Sequence, residues 1–118
     1  MSGKTVLVVG TGTIGEPLIG LLSRRKKALG IHRVIFHKRT PLDYEIAKVN
    51  SLVSQGADLS VNQDREDEFR KLGHNPKMNF NEALSEADVI IDCTPAGNAN
   101  KTHHYQEHSN KFFIAQGS

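Results

Sequence analysis

The apolar, β-branched run Thr5-Val6-Leu7-Val8-Val9 passes without interruption into Gly10-Thr11-Gly12-Thr13-Ile14-Gly15, and an amphipathic stretch follows. A strand that feeds G-x-G-x-x-G into a helix confines this part of the chain to a strand–turn–helix unit whose turn is open to an anion. Gly10 lets the chain leave the strand in a tight turn. Gly12 lacks the Cβ that would keep a pyrophosphate away, and Gly15 lets the helix pack on the strand. The free N–H groups at the helix start face such a ligand, and the helix dipole favours its negative charge. Pro17 suits the first turn, where its missing N–H is not needed. Ile14, Leu18, Leu21, Leu22 and Leu29 recur at helical spacing, which predicts a helix over 14–29 with these residues on its apolar face. Gly30 is the expected C′ cap. In this context Gly10, Thr11, Gly12, Thr13, Ile14 and Gly15 are expected to bind a dinucleotide. The plain alternative is a glycine turn kept only for strand–helix packing.

The remaining chain alternates between strand and helix. Strands are predicted near Thr5–Val9, Arg33–His37, Asp58–Val61, Asp88–Cys93 and Lys111–Ala115, with helices near Ile14–Leu29, Asp43–Gln55, Asp64–Leu72, Asn81–Ser85 and Ala99–Ser109. The runs Val6-Leu7-Val8-Val9, Val89-Ile90-Ile91 and Phe112-Phe113-Ile114-Ala115 are continuously apolar, as in strands covered on both faces of a parallel sheet. The expectation is an α/β, doubly wound Rossmann fold: a mainly parallel sheet of about five strands, order 3-2-1-4-5, with helices on both faces. Gly56 and Gly73 sit where C′ glycines close helices. In Asp64-Arg65-Glu66-Asp67-Glu68-Phe69-Arg70-Lys71 acids precede bases, which suits a solvated helix face aligned with its dipole.

A chain of 118 residues fits one domain, here a dinucleotide-binding domain over 1–118. A net charge of +2 is too small to point to nucleic acid or a membrane surface. The single cysteine excludes an intrachain disulfide and fits a reducing compartment. Without a signal-peptide core or a bilayer-length apolar stretch in the sequence, the expected location is the cytoplasm. Arg24-Arg25-Lys26-Lys27 is read as favouring the C-terminal dipole of the first helix. His104 and His108, with His103 adjacent, have metal-like spacing but lack the HExxH pattern, so no metal site is expected.

The end of the second strand decides which dinucleotide. Readers of a ribose 2′-hydroxyl place Asp or Glu there, whereas a basic or small polar group accommodates a 2′-phosphate. Here Arg33-Val34-Ile35-Phe36 ends in His37-Lys38-Arg39-Thr40, with Lys38 and Arg39 lying 23 and 24 residues past Gly15 and no carboxylate before Asp43. Lys38, Arg39 and Thr40 therefore point to NADP, with NAD the alternative. His37 is read either as stacking on the adenine or as solvated. Cys93, Thr94, Pro95, Ala96 and Gly97 follow the fourth predicted strand, and Gln116 and Gly117 follow the fifth. Ligands of open α/β sheets bind outside these carboxyl ends, so both segments are candidate walls. Cys93 is read as a small packing residue rather than a nucleophile, because a catalytic thiol needs a base or a helix N-terminus to lower its pKa.

Taken together, Val9-Gly10-Thr11-Gly12-Thr13-Ile14-Gly15, Lys38-Arg39-Thr40-Pro41-Leu42-Asp43-Tyr44-Glu45, Ala87-Asp88-Val89-Ile90-Ile91-Asp92-Cys93-Thr94-Pro95-Ala96-Gly97 and Ile114-Ala115-Gln116-Gly117 resemble the N-terminal, cofactor-binding part of archaeal-type glyceraldehyde-3-phosphate dehydrogenase. The resemblance implies oxidation of an aldehyde phosphate through a thiohemiacetal, with hydride passing to NADP or NAD, and contacts to the cofactor from Thr13, Ile14, Arg39 and Gly117. It also implies that the nucleophilic cysteine and its histidine belong to a catalytic domain absent from this chain. Cys93 matches a non-catalytic position, and Ser118 falls where the family tends to have a second glycine. No catalytic residue is therefore assigned. Semialdehyde dehydrogenases and dihydrodipicolinate-type reductases begin with the same unit, and a stand-alone nucleotide-binding module is the third reading. The expected partners are the dinucleotide and either a further copy of the chain or a catalytic domain. Weak self-association is expected through a surface near Phe112 and Phe113.

Overall fold

The computed structural model describes residues 3–94 and 112–115. The chain runs β1 (Lys4–Val9), α1 (Gly15–Arg24), α2 (Lys26–Leu29), β2 (Ile31–His37), a 3₁₀ turn (Asp43–Glu45) and α3 (Ile46–Ser54). It continues through β3 (Ala57–Val61), a second 3₁₀ turn (Gln63–Arg65), α4 (Glu66–Lys71), β4 (Met78–Asn79), α5 (Phe80–Glu86), β5 (Val89–Asp92) and β6 (Phe112–Ala115). The sheet has six strands in the order β4-β3-β2-β1-β5-β6, and every pairing is parallel. β1 lies between β2 and β5, with Val9 opposite His37 on one side and Asp92 on the other. The expected order of five strands is thus present, and the additional two-residue β4 extends it at the β3 edge.

Both faces of the sheet are covered. Alternate β1 residues Val6 and Val8 pack with Val34, Phe36 and Leu59 under Ile19, Val49, Leu52 and Phe69 from α1, α3 and α4. The intervening Leu7 and Val9 join Ile35 and Ile90 under Ala83 and Leu84 of α5. This period of two, apolar on both faces, is the reason β1 reads as an unbroken apolar run. Phe36, Leu7, Ile35 and Ile19 are fully buried, each contributing roughly 1.5–3 kcal/mol of apolar transfer free energy.

Two expectations are corrected here. The helix foreseen over 14–29 is broken at Arg25, whose backbone (φ −115°, ψ 20°) leaves helical geometry while its N–H donates to both Leu21 O and Leu22 O. Gly30, at φ 70°, closes the short α2 and turns the chain into β2. The inward face of α1 also differs: Gly15, Ile19, Gly20 and Ser23 are buried, Leu18 and Leu22 flank them, and Ile14, Leu21 and Leu29 are exposed. Gly15 rests on the Gly10 backbone and Gly20 faces the Arg24 and Gln55 side chains, so Ile19 is the one large apolar residue of α1 that is fully buried. Arg24 and Lys26 reach across to Gln55 Oε1 (2.5 Å) and the Gly56 carbonyl (2.8 Å), so these cations serve the C-terminal end of α3.

α5 starts with a capping box. Asn79 Oδ1 accepts from Glu82 N (2.8 Å) and Glu82 Oε1 accepts from Asn79 N (2.9 Å). The Asn-x-x-Glu spacing was present in the sequence and marks this helix start one residue before the predicted Asn81. Pro95, Ala96, Gly97, Gln116 and Gly117, the helix foreseen over Ala99–Ser109, and His103, His104 and His108 lie outside the described residues. Among the described residues, no helix is long and apolar enough to cross a membrane.

Candidate dinucleotide site

The carboxyl ends of β1, β2 and β5 meet above the glycine turn. Gly10 has φ +103°, a conformation that side-chain-bearing residues rarely adopt, and its N–H donates to His37 O at 3.3 Å. A Cβ at Gly15 would strike the Gly10 carbonyl oxygen, so the start of α1 rests directly on the backbone that leaves β1. Gly12 differs from both: nothing lies within 4 Å of an added Cβ, and the residue is exposed. The three glycines thus divide the tasks the motif foresaw, two closing the turn and one leaving it open. Gly15 opens α1 and the cap at Ile14 supplies no side-chain hydrogen bond, while Glu16 N donates to Gly12 O (3.0 Å) and Leu18 N to Ile14 O (3.2 Å), which leaves the Gly15 N–H without a partner within the helix.

A cleft of about 240 Å³ opens beside this turn, lined by Gly10, Thr11, His37, Lys38, Arg39, Thr40, Leu42 and Thr94. It brings together three of the predicted segments: glycine turn, end of β2 and start of the loop after β5. Thr13 and Ile14 stand exposed at the start of α1, outside its lining. Thr94 is held by Asp92, whose fully buried carboxylate accepts from Thr94 N (2.8 Å) and Thr94 Oγ1 (2.5 Å). Thr94 Cγ2 lies 3.1 Å from the position of a Gly10 Cβ, so this loop abuts the turn.

Cys93 sits behind Thr94, half-buried and packed on the core of the α1 face, its N–H donating to Val9 O at 2.8 Å. Burial, with Asp92 beside it, pushes the thiol above its ordinary pKa. It stays protonated at neutral pH, the opposite of what a nucleophile needs.

His37 departs from both sequence readings. It is 3% exposed, stacked on Phe80 with centroids 4.0 Å apart, and its Nδ1 lies 3.1 Å from Ser60 Oγ. Burial, then the neighbouring Arg39 charge, lowers its pKa to about 4, so a neutral ring supports the cleft wall from beneath.

The two basic residues after His37 have different surroundings. Lys38 is 9% exposed and its Nζ lies 2.5 Å from Glu45 Oε1. Arg39 is exposed and, among the described residues, makes no hydrogen bond or ion pair. The pairing of Lys38 with Glu45 depends on the path of the chain over 40–45, which no local spacing in the sequence reveals.

No family model matches the sequence. The chain is 32% identical over 114 residues to a glyceraldehyde-3-phosphate dehydrogenase of Pyrobaculum islandicum, aligning 93% of its own length with 30% of that protein. It is 29% identical over 119 residues to glyceraldehyde-3-phosphate dehydrogenase 1 of Methanosarcina acetivorans, aligning 99% of its length with 33% of that protein. The chain therefore spans about a third of the length of these curated relatives, and the similarity falls on their N-terminal portion. Among solved structures, an imine reductase from Pseudomonas sp. superposes with a TM-score of 0.62 at 18% identity, covering 99% of this chain and 34% of that one. That likeness is one of fold, and the fold is Rossmann-like. The resemblance read from four short motifs thus extends over nearly the whole chain.

Proposed function

We propose that residues 1–118 form the NAD(P)-binding domain of a glyceraldehyde-3-phosphate dehydrogenase-like oxidoreductase, and that this domain favours NADP over NAD. The observation that carries the reading is the cleft in which an open glycine turn faces a free guanidinium, that of Arg39. The residues fit such a group. Gly12 leaves room for backbone approach, the Gly15 N–H at the start of α1 offers a donor, and Arg39 supplies a charge suited to a 2′-phosphate. When bound, the dinucleotide supplies the hydride-accepting ring.

The chain's own residues bind and orient. Gly12, Thr13 and Ile14 present backbone to the pyrophosphate, Arg39 and Thr40 take the 2′-phosphate, and Thr94 and the loop that follows it wall the nicotinamide side. Pro95, Ala96, Gly97, Gln116 and Gly117 belong to the same rim in this reading. Cys93 takes no part in bond making, since its thiol remains protonated. The thiohemiacetal chemistry that the resemblance implies is assigned to no residue of 1–118 in this reading.

Calorimetric titration with NADP and NAD tests this. NADP is expected to bind more tightly. Arg39→Ala should weaken NADP by roughly ten- to a hundredfold, the range of one charge-assisted contact, and leave NAD nearly unchanged. Absence of binding by either dinucleotide would overturn the reading.

A further inference from the structure

Glu45 lies between two lysines. Its Oε1 is 2.5 Å from Lys38 Nζ and its Oε2 is 3.1 Å from Lys48 Nζ. Lys48 Nζ also donates to the Thr11 carbonyl at 3.0 Å, and Glu16 Oε1 stands 4.0 Å from it. One carboxylate from the 3₁₀ turn thus grips the end of β2 with one oxygen and, through Lys48, the glycine turn with the other. The side chains of Lys38, Glu45 and Lys48 are 10%, 18% and 24% exposed, so water and salt screen these pairs only partly. The two lysines hold the Glu45 carboxyl below its ordinary pKa, and it is ionised at neutral pH. Arg39, next along the chain, shares none of these contacts.

We propose that Glu45 is a specificity-determining residue of the cleft: it withholds the charge of Lys38 from a bound phosphate, leaves Arg39 as the working anion reader, and so sets the ratio of NADP to NAD affinity. This rests on the reading of the cleft as an NAD(P) site. Lys38, Lys48 and Arg39 against Glu45 and Glu16 give the rim an excess of one positive charge, and neutralising Glu45 raises it to two. A 2′-phosphate carries almost two negative charges, whereas a 2′-hydroxyl carries none. The change therefore acts on one ligand and hardly on the other. A carboxylate that served only to tether the loop would affect both alike.

The test is Glu45→Gln in the 118-residue chain, titrated calorimetrically with NADP, NAD, 2′,5′-ADP and ADP at low and high salt. NADP and 2′,5′-ADP are expected to bind roughly tenfold more tightly than to the unaltered chain, one freed charge-assisted contact, with NAD and ADP within about twofold. The gain should shrink at high salt. An unchanged NADP-to-NAD ratio, or parallel loss for both, overturns the proposal. Lys38→Met and Arg39→Ala provide a second check should Glu45→Gln not fold. With Lys38 withheld, Arg39→Ala costs NADP several-fold more than Lys38→Met, and equal or reversed losses overturn the proposal. Failure of the unaltered chain to bind either dinucleotide is a separate result, and overturns the site itself.

Discussion

The two ends of β2 each carry buried or half-buried charge, and they balance it differently. At the entrance, Arg33 meets two carboxylates, Asp58 Oδ2 at 2.5 Å and Glu86 Oε1 at 2.6 Å. The guanidinium binds β2 to β3 and α5, and nothing positive is left over. At the exit, Lys38 and Lys48 share the carboxylate of Glu45, Glu16 Oε1 stands 4.0 Å from Lys48 Nζ, and Arg39 adds a further cation. The first arrangement is closed and the second has positive charge to spare, beside the open glycine turn. The difference teaches that the ion pairs of this sheet separate by task. Where acids outnumber bases, the cluster joins elements. Where bases outnumber acids at a strand's carboxyl end, the cluster keeps positive charge in reserve, which the proposed function assigns to an anion.

Disturbing the exit should have the largest effect. Gly15→Ala places a methyl group against the Gly10 carbonyl, where backbone rather than a flexible side chain must yield. It should cost about 3 kcal/mol in urea unfolding, the upper range for overpacking, and abolish dinucleotide binding. If binding survives, the turn is not the anion site.

Acid should act next, again through the exit. His37 titrates near 4 when folded against 6.5 when unfolded, so the unfolded chain takes up the proton first as pH falls. The stabilising difference is whole above pH 6.5 and is lost on descending toward about 4, so the unfolding free energy should drop by about 2 kcal/mol between pH 7 and pH 5. His74, lowered by its own burial, acts in the same direction, so His37→Gln should remove most of the slope rather than all of it. A slope unchanged in His37→Gln would mean that the wall of the cleft is not held by a neutral ring.

The smallest effect belongs to the entrance. Arg33→Gln breaks two part-exposed pairs and should cost about 1 kcal/mol, with dinucleotide affinity unchanged. A marked loss of affinity would erase the distinction between the two ends.

Features that depend on neighbours in the chain were legible beforehand. β1 and the glycine turn announce themselves through an apolar run and through Gly10 and Gly15, whose tight backbone contact excludes other residues. The C′ glycines at 30, 56 and 73 all take positive φ as their positions implied. Features set by distant partners were not legible. His37 stacks on Phe80, and Ser60 lies 23 residues from it. Lys38 reads as a free cation until the chain over 40–45 brings Glu45 onto it. The break at Arg25 has no glycine or proline to mark it, since Arg24-Arg25-Lys26-Lys27 favours helix and only the path back to β2 ends it. β4, at two residues, is too short for a period to show.

The Thr5 N–H donates to Asp88 Oδ2 at 2.8 Å across 83 residues of sequence. Beside it, β5 delivers Asp92 and Thr94 to the glycine turn that β1 began. The cleft therefore needs both segments in place: its first wall is encoded at the start of the chain, and its third is complete only when that long loop is closed. Such non-local pairing slows folding, and a fluorescent dinucleotide should report completion of the sheet rather than formation of its first unit. The same dependence runs in reverse. A ligand that binds only the finished cleft clamps the two segments together, and at a hundred times its Kd adds about 2.7 kcal/mol to the stability of the whole sheet.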